Sequence, residues 1–484
     1  MKILFITPPY NDQFLMPEIG IPQLKSYLTK NNILCDHKDL NNDFIYKYLV
    51  SEGAAVQLEQ LRGTLTLREH GQAEFSAALR KRNPVYEDFF GSYIDGPVRE
   101  LRPDILGISV VDTPQLYPSC LLIREVKRRF PGLFTVIGGP WATTAREIVP
   151  EFVRSFPELD GVITHAGEGP LLALCRAIER KGDFSTVPNL IWRNGTDVVT
   201  NPLAPPVPLD DIPTPDFSDL PLDRYRAQVL PIATRSGCYW GRCVFCHHNV
   251  ESAWNSQATP ERVVDSMEQL VRQTGLNHFF LADTCTDPAF MREMGGLLRA
   301  RNSNVRWSCM TRIENCYDRE YCRILADSGC HTIFFGLESV VPELLRRTRK
   351  GISVDTLDSI LLNLHEVGIW ANLFVIHIPS FPVSDLERTL AWIVERKELV
   401  NHVITQTFVL ARNTKVWETP EELDLVILPG AERDLDVFHL PYATLREGPT
   451  ADIADIVGRF SKQMFVPSLE NNRRTRPWIL CGRD

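Results

Sequence analysis

Three cysteines fall within nine residues, in the stretch Thr234-Arg-Ser-Gly-Cys238-Tyr-Trp-Gly-Arg-Cys243-Val-Phe-Cys246. Four residues separate Cys238 from Cys243 and two separate Cys243 from Cys246. Thiolates this close bind soft metals, either zinc or an iron–sulfur cluster. Structural zinc takes four protein ligands, commonly as two separated pairs. Here His247 or His248 would have to complete the set. Three cysteines without a matched fourth lean toward a cubane with one open iron, which can bind a substrate or cofactor directly. Spacing alone leaves zinc, a cluster and unligated thiols all open.

The cluster sits directly after a predicted strand at 230–235. Further apolar, β-rich runs follow at 278–283, 305–310, 332–337, 371–378 and 403–408, with helical segments between them. One helix opens at Thr259-Pro260, with Thr as N-cap and Pro at the first helical position. Strand–helix units in this order predict a partial (β/α)6 parallel barrel over 227–410. The active sites of such barrels gather at the C-terminal strand ends, so the three thiols belong to that face. Cys285 and Cys309 lie near the same rim, but free cysteine is a common small buried hydrophobe, and both are read as packing. Arg346, Arg347, Arg349 and Lys350 read as a solvated helix end.

A second alternating region precedes the barrel. Predicted strands at 2–7, 33–39, 105–111, 134–138 and 161–164 are joined by helical patterns near 19–30, 115–130, 141–156 and 168–181. This predicts an α/β, doubly wound, Rossmann-like domain over 1–201, with a polar helical insertion near 46–100. Residues 202–226 form a linker whose proline density, greatest over 202–221, excludes a regular helix or central strand. Residues 411–484 read as a short C-terminal extension without a recognisable motif. In the first domain, Gly138-Gly139 and Gly167-Glu168-Gly169 each turn a strand into a helix, where a ligand can approach the backbone closely. Ser109 ends a third strand beside them.

Composition narrows the field. At 484 residues, two or three domains are expected. A hydrophobic fraction of 44% with 23% charged residues excludes disorder as the main state. Lys plus Arg number 52 against 61 Asp plus Glu, for a net charge of -9, which argues against a chain built to coat nucleic acid. No apolar run approaches the ~20 residues that span a bilayer. The start lacks the apolar region and cleavage site of a signal peptide, so the expected location is cytoplasmic, with no membrane partner.

The barrel region resembles the radical S-adenosylmethionine (radical SAM) superfamily. The usual motif has three residues in its first cysteine gap and two in its second. This chain has four in the first, and its Gly-Cys238-Tyr-Trp-Gly-Arg-Cys243-Val-Phe245-Cys246 resembles the variant of cobalamin-type members. Gly336-Leu-Glu338-Ser339 resembles the family's "G-x-E-S" strand end, and Thr311-Arg312-Ile-Glu314 its "A-R-x-D/E". Asp283 stands at its acidic strand end, and Val375-Ile-His377-Ile378-Pro379 at its "I-x-G-x-P" strand with larger residues inside. The resemblance implies a [4Fe–4S] cluster on Cys238, Cys243 and Cys246 whose open iron chelates SAM. One electron then cleaves SAM to a 5′-deoxyadenosyl radical, which abstracts a substrate hydrogen. Phe245 is expected near the adenine, with Glu338, Asp283 and Arg312 as polar contacts to SAM.

The first domain resembles the cobalamin-binding domain found before the barrel in one radical SAM class, with its "G-I-S", "G-G-P-H" and "G-E-G-E" patterns. Ser109, Gly138, Gly139, Gly167, Glu168 and Gly169 fall on those patterns, while Trp141 replaces the His and Pro170 the final acid. No "D-x-H-x-x-G" is present, and His37 lies in a predicted strand, so the cobalamin base is expected detached from cobalt. The resemblance implies a cobalamin-dependent methyltransferase acting on an unactivated carbon of a biosynthetic intermediate. Radical rearrangement or oxidation without methyl transfer is the close alternative. An RNA methylthiotransferase and a zinc-bound, non-enzymatic interaction module are more distant ones. The substrate is expected to be a small molecule or peptide, and the electron donor a flavodoxin or ferredoxin. Catalytic side chains are not identified.

Overall fold

The computed structural model describes residues 1–9, 16–47, 71–251, 256–445 and 453–464. The chain divides into two units, Met1–Arg226 with Pro429–Leu440, and Ala227–Leu428 with the chain from Pro441 onward.

The first unit is built on a seven-stranded sheet. Its strands are β1 (Lys2–Thr7), β2 (Leu34–Asp39), β3 (Ile105–Ser109), β4 (Phe134–Gly138), β5 (Gly161–Ile163), β6 (Leu190–Asn194) and β7 (Asp197–Thr200), in spatial order 2-1-3-4-5-6-7. β1 to β5 pair in parallel. Ile3, Leu4, Phe5 and Ile6 on β1 are all buried, as a strand covered on both faces requires. Strand order reverses between β1 and β3, so the crevice at their C-terminal ends is the switch point of the sheet. The helix expected at 141–156 is two helices, Pro140–Thr144 and Val149–Ser155, the second restarted by a proline in its first turn. β6 and β7 form an antiparallel hairpin absent from the sequence reading. It turns at Gly195-Thr196, where Gly195 takes φ +62°.

Residues 48–70 of the expected insertion lie outside the described residues. The remainder is helical, and its helix Pro84–Tyr93 buries Tyr86, Phe89 and Phe90. Phe44 meets Phe89 edge-on at 5.0 Å. The segment 202–226 is largely extended and fastened to this unit: Lys25 Nζ reaches Asp219 at 2.6 Å and Asp216 at 3.2 Å.

His37, read as structural, lies on β2 with only 2% of its surface exposed, 3.0 Å from the Thr7 hydroxyl. Burial, aided by the Lys25 and Lys38 ammoniums, pulls its ring down to about 3. The unfolded chain therefore binds the extra proton between about pH 6.5 and 3, and stability falls as pH drops through that window. At about 1.4 kcal/mol per pH unit, the loss by pH 5 is about 2 kcal/mol. The expected result is that His37→Gln loses that much less stability than wild type between pH 7 and pH 5 in urea melts. Equal losses would exclude His37 as the source.

The second unit is a six-stranded parallel sheet in the order β15-β14-β13-β12-β11-β8. Its strands are β8 (Leu230–Ile232), β11 (His278–Leu281), β12 (Arg306–Thr311), β13 (Cys330–Glu338), β14 (Trp370–His377) and β15 (His402–Thr407). Two short strands, β9 (Arg235–Ser236) and β10 (Ser256–Gln257), pair antiparallel just after β8. The helix Pro260–Thr274 begins as expected, with the Thr259 hydroxyl accepting from Arg262 N. The extension splits. β16 (Leu425–Ile427) and β17 (Tyr442–Thr444) pair in the second unit, while the segment Pro429–Leu440 between them belongs to the first. Among the described residues no helix is long and apolar enough to cross a membrane.

Candidate functional site

The cysteine loop is closed at its base by the β9–β10 pair, with Ser236 opposite Ser256. Asp283, at the end of β11, holds the start of that loop. Its buried carboxylate accepts from Thr234 N at 2.8 Å, Arg235 N at 2.9 Å and the Thr234 hydroxyl. This gives Asp283 a use other than the SAM contact expected of it. Farther along, Asn249 Nδ2 donates to Cys243 O at 2.9 Å, and Val244 N donates to Thr348 O at 3.1 Å.

Cys238, Cys243 and Cys246 form no disulfide and are half-buried on this loop. The Cys285 thiol donates to the Cys238 sulfur, which lowers Cys238 to about 5 and raises Cys285. Burial raises Cys243, and raises Cys246 to about 12. Cys285, read from sequence as packing, thus touches the first cysteine of the triplet. Cys309 does pack, fully buried with its sulfur 3.4 Å from Met291 Sδ. Among the described residues no three His, Cys, Asp or Glu side chains converge on a point where one ion could sit. Three soft thiol donors on one short loop fit an iron–sulfur cluster, whose ligands are cysteine thiolates.

Glu338 ends β13 where the register shifts between Gly336 and Glu338, and it adopts φ +62°, a region few side chains visit. Its carboxylate accepts from Lys350 Nζ at 2.7 Å, with both groups buried. A Cβ at 336 would lie 2.8 Å from Glu338 Oε1 and closer still to the Lys350 ammonium, so a side chain there would displace the pair. Lys350 was read as part of a solvated charge run, and the structure corrects this. Arg346 is exposed beside Glu343, but Arg347 pairs with Asp424 at 2.7 Å and Lys350 turns inward to Glu338. Burial would lower the Lys350 ammonium, yet Glu338 holds it above its usual range.

Arg312 Nη1 and Nη2 donate to Lys350 O at 2.6 Å and Gly351 O at 3.0 Å, and its guanidinium stacks 3.7 Å from the Trp240 ring centre. Like Asp283, it braces the loop. Phe245, expected near adenine, is half-buried beside Cys246. A cleft of about 1130 Å³ opens at Cys243, with Trp240 and Trp392 among its walls and Arg242 and Arg388 at its edge.

In the first unit, Ser109 pairs with Gly138 across β3 and β4. Gly139 takes φ +99°, and a Cβ there would lie 2.5 Å from Val110 O, so strand packing alone demands glycine. Gly138 has room for a side chain, its nearest obstacle being Ile163 O at 3.5 Å. Glu168 is buried and accepts from Gln23 Nε2 at 2.8 Å, while Gly167 and Gly169 begin the turn around it. Trp141, standing where the resemblance has His, is fully buried and donates from Nε1 to Leu435 O at 2.9 Å. Nothing in the local sequence signals a partner so distant. Lys350 had a local clue, since it follows the Gly336–Glu338 strand end within twelve residues.

Residues 234–393 match the profile of the Radical SAM superfamily. An uncharacterized methyltransferase of Pyrococcus horikoshii is 27% identical over 339 residues, 66% of this chain and 72% of that protein. The anaerobic magnesium-protoporphyrin IX monomethyl ester cyclase of Rubrivivax gelatinosus is 26% identical over 313 residues, 60% of this chain but only 54% of the cyclase. Among solved structures, the radical S-adenosylmethionine methyltransferase TsrM from Kitasatospora setae, determined with cobalamin and a [4Fe–4S] cluster bound, superposes with a TM-score of 0.67. That match covers 100% of this chain and 92% of TsrM at 16% identity, which establishes a common fold. Residues 234–393 are a radical SAM domain, carried after a doubly wound α/β unit.

Proposed function

We propose that this chain is a cobalamin-dependent radical SAM methyltransferase acting on an unactivated carbon of a small molecule or peptide. The observation that carries the reading is the cysteine loop at the C-terminal end of β8, closed by β9–β10, with a buried Glu338–Lys350 pair beside it. Cys238, Cys243 and Cys246 would hold a [4Fe–4S] cluster, and Glu338 is the candidate contact to SAM. In the first unit, the Ser109, Gly138 and Gly167–Gly169 turns at the sheet's switch point are the candidate cobalamin cradle. Bound together, the two cofactors supply a deoxyadenosyl radical and a transferable methyl group. The chain's own residues do the holding: Asp283 and Arg312 set the loop, and Gly138 leaves open space over β4.

The relative named as a cyclase favours a second reading, radical oxidation or rearrangement with the same cofactors and no methyl transfer. SAM carrying a deuterated methyl group separates the two. Methyl transfer places the label in product and yields S-adenosylhomocysteine as well as 5′-deoxyadenosine. A product of unchanged mass, or lighter by two hydrogens, with only 5′-deoxyadenosine and methionine formed, would replace methylation by the second reading.

A further inference from the structure

Four consecutive carbonyls after the helix Pro342–Arg347 are all bonded to the cysteine loop or to the arginine stacked on it. Thr348 O accepts from Val244 N at 3.1 Å, and Arg349 O from Trp240 Nε1 at 3.1 Å. Lys350 O and Gly351 O accept from Arg312 at 2.6 and 3.0 Å. Gly351, at φ +66°, lies so close under Trp240 that a Cβ would come within 2.6 Å of Cη2. The backbone of residues 348–351 is thus held against the cysteine loop and the arginine stacked on it, and the Lys350 side chain turns inward. Lys350 is 8% exposed, and its ammonium meets the 9% exposed Glu338 at 2.7 Å.

We propose that the Lys350–Glu338 pair is an electrostatic control on the cluster held by Cys238, Cys243 and Cys246, with Lys350 easing its reduction and Glu338 opposing it. This rests on the reading that those cysteines hold a [4Fe–4S] cluster. Reduction adds one electron and one unit of negative charge to the cluster, with no bond made or broken, and a reduced flavodoxin or ferredoxin gives up that electron. In a poorly solvated site a nearby cation stabilises the reduced form and a nearby anion destabilises it, because low dielectric leaves the interaction unscreened. Lys350 and Glu338 are positioning residues in this role: they act on the redox centre without ligating it. The pair also keeps either charge from being buried alone, which would be strongly destabilising.

The test is the midpoint potential of the anaerobically reconstituted full chain, measured without SAM alongside iron content. Lys350→Met should retain iron and shift the potential to more negative values. Glu338→Gln should retain iron and shift it to more positive values. Opposite signs distinguish electrostatic control from a structural role, which would move both variants in one direction or neither. Shifts of one sign in both, or potentials equal to wild type, would overturn the proposal. If Lys350→Met fails to fold, Lys350→Gln and Glu338→Gln give the same comparison at smaller volume change. A wild-type chain that takes up no iron would instead sink the cluster reading itself.

Discussion

Replacing Cys243 or Cys246 by Ala should lower iron from about four atoms per chain to near zero after anaerobic reconstitution, replacing Cys238 should lower it less completely, and each change should abolish turnover. A cubane held by three thiolates has no spare protein ligand, so losing one leaves two irons without an anchor. The surrounding fold should survive. The loop is closed at its base by β9–β10, fastened by Asp283 to Thr234 and Arg235, and braced by Arg312 on Trp240, none of which uses a thiol. Circular dichroism and melting temperature should therefore stay close to wild type while the visible absorption disappears. Cys285 makes the experiment sharper. Its thiol already touches Cys238. In Cys238→Ala it could rescue part of the iron, so the double variant Cys238→Ala/Cys285→Ala should be the emptier of the two. Full iron and activity in all three single variants would end the cluster assignment.

The second large effect is expected at Trp141. Trp141→Ala should cost the first unit about 3–5 kcal/mol, the range for truncating a buried aromatic. Trp141 has no exposed surface, packs edge-on at 5.4 Å against Phe152, and gives its indole N–H to Leu435 O. Truncation opens a cavity and leaves that carbonyl without its donor. Neighbouring bonds, such as the Thr113 hydroxyl to Asp436 Oδ1 at 3.1 Å, fasten the same segment and should weaken with it. The cysteines lie in the other unit, so iron content should hold while the melting of the first unit moves to lower temperature. An unchanged melt would mean that Leu435 and its neighbours contribute little to this unit.

Local pattern made most of the strands legible. Runs such as Lys2–Thr7 and Phe134–Gly138 appear in the structure with the bounds expected, because buried parallel strands need continuous apolar residues. The β6–β7 hairpin was missed although Asn194-Gly195 is a strong turn signal. Its strands are short and carry Arg193 and Asp197, which hides their apolar face. Lys350 was misread because a charge run is normally solvated, and only the partner on β13 reveals otherwise. Asp283 and Arg312 were placed on the correct rim. Their hydrogen bonds to Thr234 and to the carbonyls of Lys350 and Gly351 depend on loops crossing in space, which residue spacing does not encode.

The membership of Pro429–Leu440 in the first unit bears on how this protein is made. A chain leaving the ribosome presents Met1–Arg226 early, but Leu435, Val437 and Leu440, all buried in the finished unit, come after the whole barrel sheet. The roughly 200 residues between take about 10–40 s to synthesise. For that interval the Trp141 indole N–H lacks its Leu435 acceptor, although Phe152 still packs against the ring. It also means that expressing Met1–Arg226 by itself would leave out the Leu435 carbonyl that accepts from Trp141.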